Sequence, residues 1–490
     1  MPSSHFVSVS KSRAMHPLQL GPRLSRRGLL ITVLLAFAHV AVGETLDRTT
    51  PTTAIPPAWR ESYSTTATAA SPSLATWWES FHDPTLTALV TAALAGNPDL
   101  QTALSRIAES RARRQTERAG LWPSLTAKLA GAGTETNPRG PAPSVGTESY
   151  SASVDATWEL DLFGRRRHSV AAAEADLAQT TEQFHSAQVA LAAEVATYYV
   201  TLRSAEAQRT VVLESLAAQA DTLQLVRWRE QAGAASALGT QQTLSTLEQA
   251  RATLPALEQT IAQTRHELAR LAGRTPGAFD SLLSTPATVP PVAAGLALGI
   301  PAETLRQRPD VRAAEQAILA AHARMRVAEA RQLPSFTLSG SIGVDALRAG
   351  RLFTPDAVFA NLLGNLAAPL FSGGSLRAAV AAQREQETQA RLAYQSTVLD
   401  ALRDVENALI AIARTDEALA MVHRAATAAR DAADLSALEF QAGQVDLLVV
   451  LDAQRTWLSL EKQRVSTAAD HTLAHVRLYR ALGGGWAPHS

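Results

Sequence analysis

Two periodicities take turns along this chain. From Tyr150 to Leu162 polarity changes at every residue: Tyr150, Ala152, Val154, Ala156, Trp158, Leu160 and Leu162 share one face, and Ser151, Ser153, Asp155, Thr157, Glu159 and Asp161 the other. A repeat of two is that of a strand with one apolar and one polar side. Phe336, Leu338, Ile342 and Val344 alternate in the same way with Thr337, Ser339, Ser341 and Gly343, and Leu125, Ala127 and Leu129 with Thr126 and Lys128. Residues Val358 to Phe371 form a fourth, less regular segment. Elsewhere the apolar residues step by threes and fours. Tyr394, Val398, Leu402, Val405, Leu409 and Ile412 make one helical seam; Leu191, Val195, Tyr198, Leu202, Val212, Leu216, Leu223 and Val226 make another. A helix from about Arg165 to Gln231 is roughly 100 Å long at 1.5 Å per residue. That length suits a coiled coil or a tube, not a compact bundle. Proline is absent from Val145 to Leu254 and from Leu370 to Ala487, as long helices require. Pro255 predicts a kink or a local break.

The pattern occurs twice. Asn97-Pro98-Asp99-Leu100 returns as Arg308-Pro309-Asp310-Val311, Trp122-Pro123-Ser124-Leu125 as Leu333-Pro334-Ser335-Phe336, and Leu162-Phe163-Gly164 as Leu370-Phe371-Ser372-Gly373. Gln231-Ala232-Gly233 returns as Gln441-Ala442-Gly443, and Leu271-Ala272-Gly273 as Leu482-Gly483-Gly484. The order is kept throughout, so the chain is a duplication. Each half predicts a helical stretch of about 30 residues ending at an x-Pro-Ser element, two strands, and two very long helices.

The first residues read as an address. Arg23, Arg26 and Arg27 precede an apolar run from Gly28 to Val42, and Ala41-Val42-Gly43 offers a small-residue cleavage site. Residues 1–43 are therefore expected to be a signal peptide, 44–75 a Thr/Pro-rich linker, 76–275 the first repeat, 276–299 a linker, 300–485 the second repeat and 486–490 a tail. No later stretch approaches the ~18 uninterrupted apolar residues of a membrane helix.

Composition removes whole classes of function. Among 490 residues there is no cysteine, which excludes disulfides, zinc fingers, cysteine nucleophiles, iron–sulfur clusters and lipid attachment through a thiol. A formal net charge of +0 argues against a nucleic-acid binder working through a broad basic surface. Alanine, the best helix former, makes up about a fifth of the chain. No phosphate-binding loop and no nucleophile elbow is present. His471 and His475 have the spacing of a helical metal pair but no third ligand nearby, so solvated or packed histidines are the expectation. No enzyme activity and no cofactor are expected.

Strands with one apolar and one polar face fit an antiparallel sheet on a soluble core; in an exported protein they also fit a membrane β-barrel. Asn137-Pro138-Arg139-Gly140-Pro141 supplies a hairpin loop. Four strands do not close a barrel, the smallest having about 8, and lipid does not tolerate an open edge. If these strands span a membrane, more than one copy shares the barrel.

Trp77-Trp78, Phe81, Asp83-Pro84, Leu86, Asn97-Pro98-Asp99-Leu100, the run Trp158-Glu159-Leu160-Asp161-Leu162-Phe163-Gly164-Arg165, Arg308-Pro309-Asp310-Val311 and Leu333-Pro334-Ser335-Phe336 together resemble the outer membrane factor (TolC-like) family, and its NodT-type branch most. The resemblance runs from about Thr76 to Gly485. It implies a mostly α-helical, internally duplicated chain, a homotrimer with a 12-stranded β-barrel in outer membrane lipid, and a helical tunnel through the periplasm of a Gram-negative bacterium. It implies docking to a periplasmic adaptor and an inner-membrane pump of the resistance-nodulation-division type, exporting small toxic molecules. Protein secretion driven by an ABC transporter is the alternative within the channel class, and a soluble periplasmic coiled-coil adaptor the alternative outside it. Many NodT-type members carry an acylated cysteine after the signal peptide; this chain has none.

The candidate sites follow from the same reading. Phe440 to Ala453 resembles the family's periplasmic helix–turn–helix, in which Asp452 matches a position in an acidic ring narrowing the entrance. Val449 stands where such channels have a second aspartate, and Asp446 is the other aperture candidate. The plainer readings are a helix N-cap for Asp446 and a solvated helix residue for Asp452. Gly443 and Gly233 mark the two helix tips presented to the adaptor. Asp155, Glu159 and Asp161 line the lumen or its lower rim if the apolar face meets lipid, the plainer reading being solubility of an exposed face, and Trp158, opposite, fits an interfacial anchor.

Overall fold

The computed structural model describes residues 56–60, 74–136, 145–285, 287–292 and 305–486. The expected signal peptide, the hairpin loop Asn137–Pro141 and most of both linkers lie outside these residues. The described part begins with a 3₁₀ helix, Leu74–Phe81, followed by α1 (Pro84–Gly96), α2 (Pro98–Ala119), β1 (Ser124–Thr136), β2 (Val145–Leu160), α3 (Arg165–Gln231), α4 (Ala237–Arg251) and α5 (Leu254–Leu271). The second half supplies α6 (Pro309–Ala330), β3 (Ser335–Ala346), β4 (Val358–Ala367), α7 (Ser375–Gln441) and α8 (Leu447–Ala481).

Local chemistry sets the boundaries. The helical stretch expected before Trp122-Pro123 is two helices, because Asn97 caps α2 through its side chain and Pro98, lacking an N–H, takes the first helical position. α3 and α7 are each 67 residues long, and each starts after a glycine in the left-handed region, Gly164 at φ 81° and Gly374 at φ 86°. The return helix of the first half breaks at Ala252–Thr253, with Pro255 in the first turn of α5. Its counterpart α8, without a proline, runs unbroken for 35 residues.

The largest core joins the 3₁₀ helix to α1, α3, α5, α7 and α8. Trp77 is fully buried there and stacks on Tyr479 with ring centroids 4.9 Å apart. Burial of each such side chain stabilises the fold by about 1.5–3 kcal/mol. Both expected seams face the interior: Val398, Val405, Leu409 and Ile412 are buried on α7, and Leu191, Val195, Leu202, Val212, Leu223 and Val226 on α3. Beside this core Glu206 accepts from Arg203 and Arg265, whose guanidinium groups also hold the carbonyls of Thr285 and Leu283. A charge pair so buried needs these extra partners to offset desolvation. The residues after α5 are thereby tied to the helices.

The strands form one antiparallel sheet in the order β1-β2-β3-β4. Its register lines up the predicted faces. Leu125 opposes Ala156, Val154 opposes both Ala127 and Ile342, and Ile342 opposes Ala360, so the apolar side is continuous across all four strands. On the other side Thr126, Asp155, Ser341 and Asn361 form one row. Phe359 and Leu363 fall on this polar side, which accounts for the irregular reading of β4. That strand ends at Ala367, ahead of Pro369 and short of the expected Phe371. β2 likewise covers Val145–Leu160 rather than Tyr150–Leu162.

Candidate functional site

The candidate residues fall in three regions: the sheet, the joint between sheet and helices, and the helix tips. In the sheet the apolar side meets no core. Leu129 and Leu362 are 82% and 75% exposed, and β1 and β4 each pair on one edge only. Among the described residues no helix is long and apolar enough to cross a membrane.

The three carboxylates read as lumen-facing are not equivalent. Asp155 lies in the polar row, 2.7 Å from Lys128 Nζ, and accepts from the Ser341 hydroxyl at 2.6 Å. Glu159 is clasped by Arg165 and Arg166 at the start of α3. Asp161 lies beyond the end of β2. Its carboxylate accepts from the backbone amides of Arg166 and Arg167 at 3.0 and 2.9 Å. Gly164, at the N-cap, has no side chain to do this, and Asp161 supplies the cap from three residues upstream. Burial opposes its charge, yet those amides and the Arg167 side chain hold its carboxyl below the usual range. Trp158 lies on the apolar side, half-buried, and its indole N–H donates to the carbonyl of Leu121 at 3.0 Å. Besides its place on that face it ties the sheet to the end of α2.

At the opposite end both tips close identically. Gly233 (φ 74°) donates to the Glu230 carbonyl while Ala234 donates to Arg229; Gly443 (φ 77°) donates to Phe440 while Gln444 donates to Glu439. This paired pattern satisfies the last carbonyls of α3 and α7 and requires a positive φ, which glycine adopts without strain. Asp446 occupies the N-cap position of α8, but its side chain makes no capping bond. Asp446 and Asp452 are both exposed, whereas Val450, Leu451 and Gln454 are buried. Leu448 and Val449 are exposed between them.

Sequence reasoning missed what holds the tips together. Arg229 donates to the carbonyls of Phe440 and Gln441 at 2.8 and 3.1 Å, and its guanidinium stands 4.3 Å from the centre of the Phe440 ring. Deeper in, the buried amide of Gln454 donates to the Thr222 hydroxyl at 2.9 Å. His475 is buried with its Nδ1 on the His471 carbonyl, and burial pushes its pKa down to about 4. His475 is thus packed rather than solvated.

Known proteins share this arrangement. The pyoverdine export outer membrane protein OpmQ of Pseudomonas aeruginosa is 32% identical over 428 residues, 84% of this chain and 87% of that one. The toluene efflux pump outer membrane protein TtgF of Pseudomonas putida is 31% identical over 423 residues, 84% and 85% of the two chains. The solved structure of the outer-membrane channel OprN superposes with a TM-score of 0.81 at 31% identity, covering 89% of this chain and all of that one. The pattern of the outer membrane efflux protein family itself matches twice, over residues 89–274 and 300–484. With its duplicated helices, its four-strand sheet and its bare apolar wall, the chain belongs to the outer membrane efflux proteins, non-enzymatic transport channels whose sheet is the barrel portion and whose helices are the tunnel.

Proposed function

We propose that the protein is the outer membrane channel of a tripartite efflux system of the resistance-nodulation-division type. Three copies share a 12-stranded barrel, and small toxic molecules delivered by an inner-membrane pump and a periplasmic adaptor leave through it. The sheet carries this reading: an apolar side continuous over four strands, with both edges open, is stable in lipid only inside a closed barrel. The barrel alone anchors the chain, since no cysteine is available for a lipid.

Within that channel Asp452, and Asp446 nearer the tip, form the acidic periplasmic aperture, supported by their exposure close to the tip. The tips at Gly233 and Gly443 are the surfaces offered to the adaptor. Asp155 faces the lumen, Glu159 and Asp161 stand at its lower rim, and Trp158 marks the lipid boundary. The test is the molar mass of the detergent-extracted protein by light scattering, followed by conductance in planar bilayers. A mass of three chains and a cation preference reduced in Asp452→Ala are expected; a monomer from the soluble fraction overturns the reading.

A further inference from the structure

The return helices of the two repeats end alike in backbone and differently in charge. Gly273 follows the first and Gly483 the second, a shift of 210 residues that also relates Gly164 to Gly374. In the first repeat Arg270 donates to Glu267 at 2.8 Å, so the last turn of α5 carries its own counter-ion. The same shift places Arg480 at the position of Arg270 and Arg477 at that of Glu267. The acid has become a second base. Among the described residues neither Arg477 nor Arg480 has an ion pair or a side-chain hydrogen bond, and both are exposed. Three residues apart on a helix, they project as neighbours.

Both arginines line a cavity of about 610 Å³ where α8 ends and α6 begins, walled by α3 and α7. Arg308, Arg403, Asp310 and Asp404 complete its charged lining, and these four already answer one another. Arg308, buried, pairs with Asp310 at 2.7 Å and donates to the carbonyl of Ala481, with Asp404 3.7 Å away. Arg403 pairs with Asp404 at 2.9 Å and, outside the cavity, with Asp400 at 2.7 Å. No acid is left for Arg477 and Arg480. The rest of the lining is small or polar: alanine, glycine, one proline and one valine, with Ser186 and Asn407. It holds no aromatic ring and no leucine, so it offers little to an apolar body.

We infer that this cavity binds the phosphate group of a small polar solute, clasped between the guanidinium groups of Arg477 and Arg480. Each guanidinium is a planar fork that gives two parallel N–H bonds to an oxyanion. A single carboxylate fills one fork; a phosphate monoester, with three terminal oxygens and a charge of about −1.5 to −2 at neutral pH, engages both. A phospholipid fits less well, because its phosphate is a diester and its acyl chains find no apolar wall here. The occupant links the end of α8 to α6 and α7 through the arginines it touches and so braces the second joint. All the residues involved belong to one chain, and the inference is independent of how copies assemble and of what the protein exports.

The test is calorimetric titration of the detergent-extracted full chain with sodium phosphate near neutral pH, the ionic strength being held constant with sodium chloride. Saturable binding of one phosphate per chain is expected. Arg477→Gln with Arg480→Gln should weaken it by about tenfold for each arginine removed, while Arg270→Gln, at the paired position of the first repeat, leaves it unchanged. Thermal unfolding guards against a folding defect: without phosphate the double variant should melt with the wild type, and phosphate should raise the Tm of the wild type alone. Glycerol 3-phosphate in place of inorganic phosphate identifies the source. Tighter binding assigns the site to an organic phosphate, and weaker binding to the free ion. Heat that does not saturate, or that survives in the double variant, overturns the site. Competition by phosphatidylglycerol added to the micelles overturns its assignment to a small solute.

Discussion

Where α2 meets the end of α5, Asn97 accepts from the amides of Asp99 and Leu100 and donates at 2.8 Å to the carbonyl of Leu271. Where α6 meets the end of α8, Arg308 stands in the same place, makes no cap, and donates at 2.7 Å to the carbonyl of Ala481. It also pairs with Asp310 through two further bonds. One step along, Gly273 and Gly483 end the two return helices with the same paired amide pattern. Deeper in the helices Arg265, fixed on Glu206, is matched after the same shift by His475, buried and uncharged at neutral pH. The backbone joint is conserved between the halves while the side chains serving it change. What the duplication repeats is therefore the closure of helix ends, and each half balances its buried polar groups with its own chemistry.

The largest expected effect tests the closeness of the joint. A Cβ at Gly273 would stand 2.1 Å from the carbonyl oxygen of Gly96, whereas at Gly483 the nearest atom is the Arg308 Cα at 3.1 Å. Both positions have positive φ, which costs a substituted residue about 1–2 kcal/mol. Only the first adds a backbone clash. Gly273→Ala is expected to destabilise the protein by roughly 3–5 kcal/mol and Gly483→Ala by about half as much, read as thermal unfolding in detergent. Equal losses would mean that the two joints are equally tight.

Acid separates the halves next. His475 has a folded pKa of about 4 against 6.5, chiefly from burial. Below pH 6.5 the unfolded chain takes up a proton that the folded chain refuses. Stability is complete above that value, declines as the pH falls towards 4, and levels off there. The loss is roughly 3 kcal/mol. His475→Gln should flatten the stability profile in that window; a profile unchanged by the substitution would remove this residue as the cause.

Asn97→Asp keeps an acceptor for the cap but sets a carboxylate against the Leu271 carbonyl, and a cost of about 1–3 kcal/mol is expected. Arg308→Lys retains a donor and should cost less. Reversal of that order, measured by the same unfolding assay, would break the equivalence of the two positions. The smallest effect belongs to Pro255→Ala. Restoring the amide allows α4 and α5 to join as α8 does, with a rise in helical circular dichroism and a stability change within about 1 kcal/mol. A larger loss would show that the break is needed for packing.

Much of this was legible beforehand because it is local. The span of α3, the break near Pro255, both glycine tips and the alternation of β2 all follow from periodicity and backbone preference. Asp161 illustrates the limit. Alternation carries on through Leu162 because the strand and the turn after it both use apolar residues, and nothing in the spacing says that an acid belongs to the next helix. The clasp of Arg229 on Phe440 was hidden for another reason. It joins residues more than two hundred positions apart, and the duplication gives no hint of it, since Glu439 and Glu230 occupy the corresponding places. The aperture candidates Asp446 and Asp452 were readable as acids near a turn, but their exposure depends on how α8 packs.

The cluster of Lys128, Asp155 and Ser341 bears on what the proposed pore admits. An ammonium and a carboxylate 2.7 Å apart cancel at any distance large compared with their separation. With the hydroxyl bonded to the same carboxylate, this level of the wall presents short dipoles and no net charge. A passing solute meets neither a potential well that traps it nor a Coulomb barrier that turns it back. If that wall lines the proposed pore, anions, cations and neutral molecules would cross this level on nearly equal terms, and discrimination by charge would fall to other groups, with Asp446 and Asp452 the proposed ones.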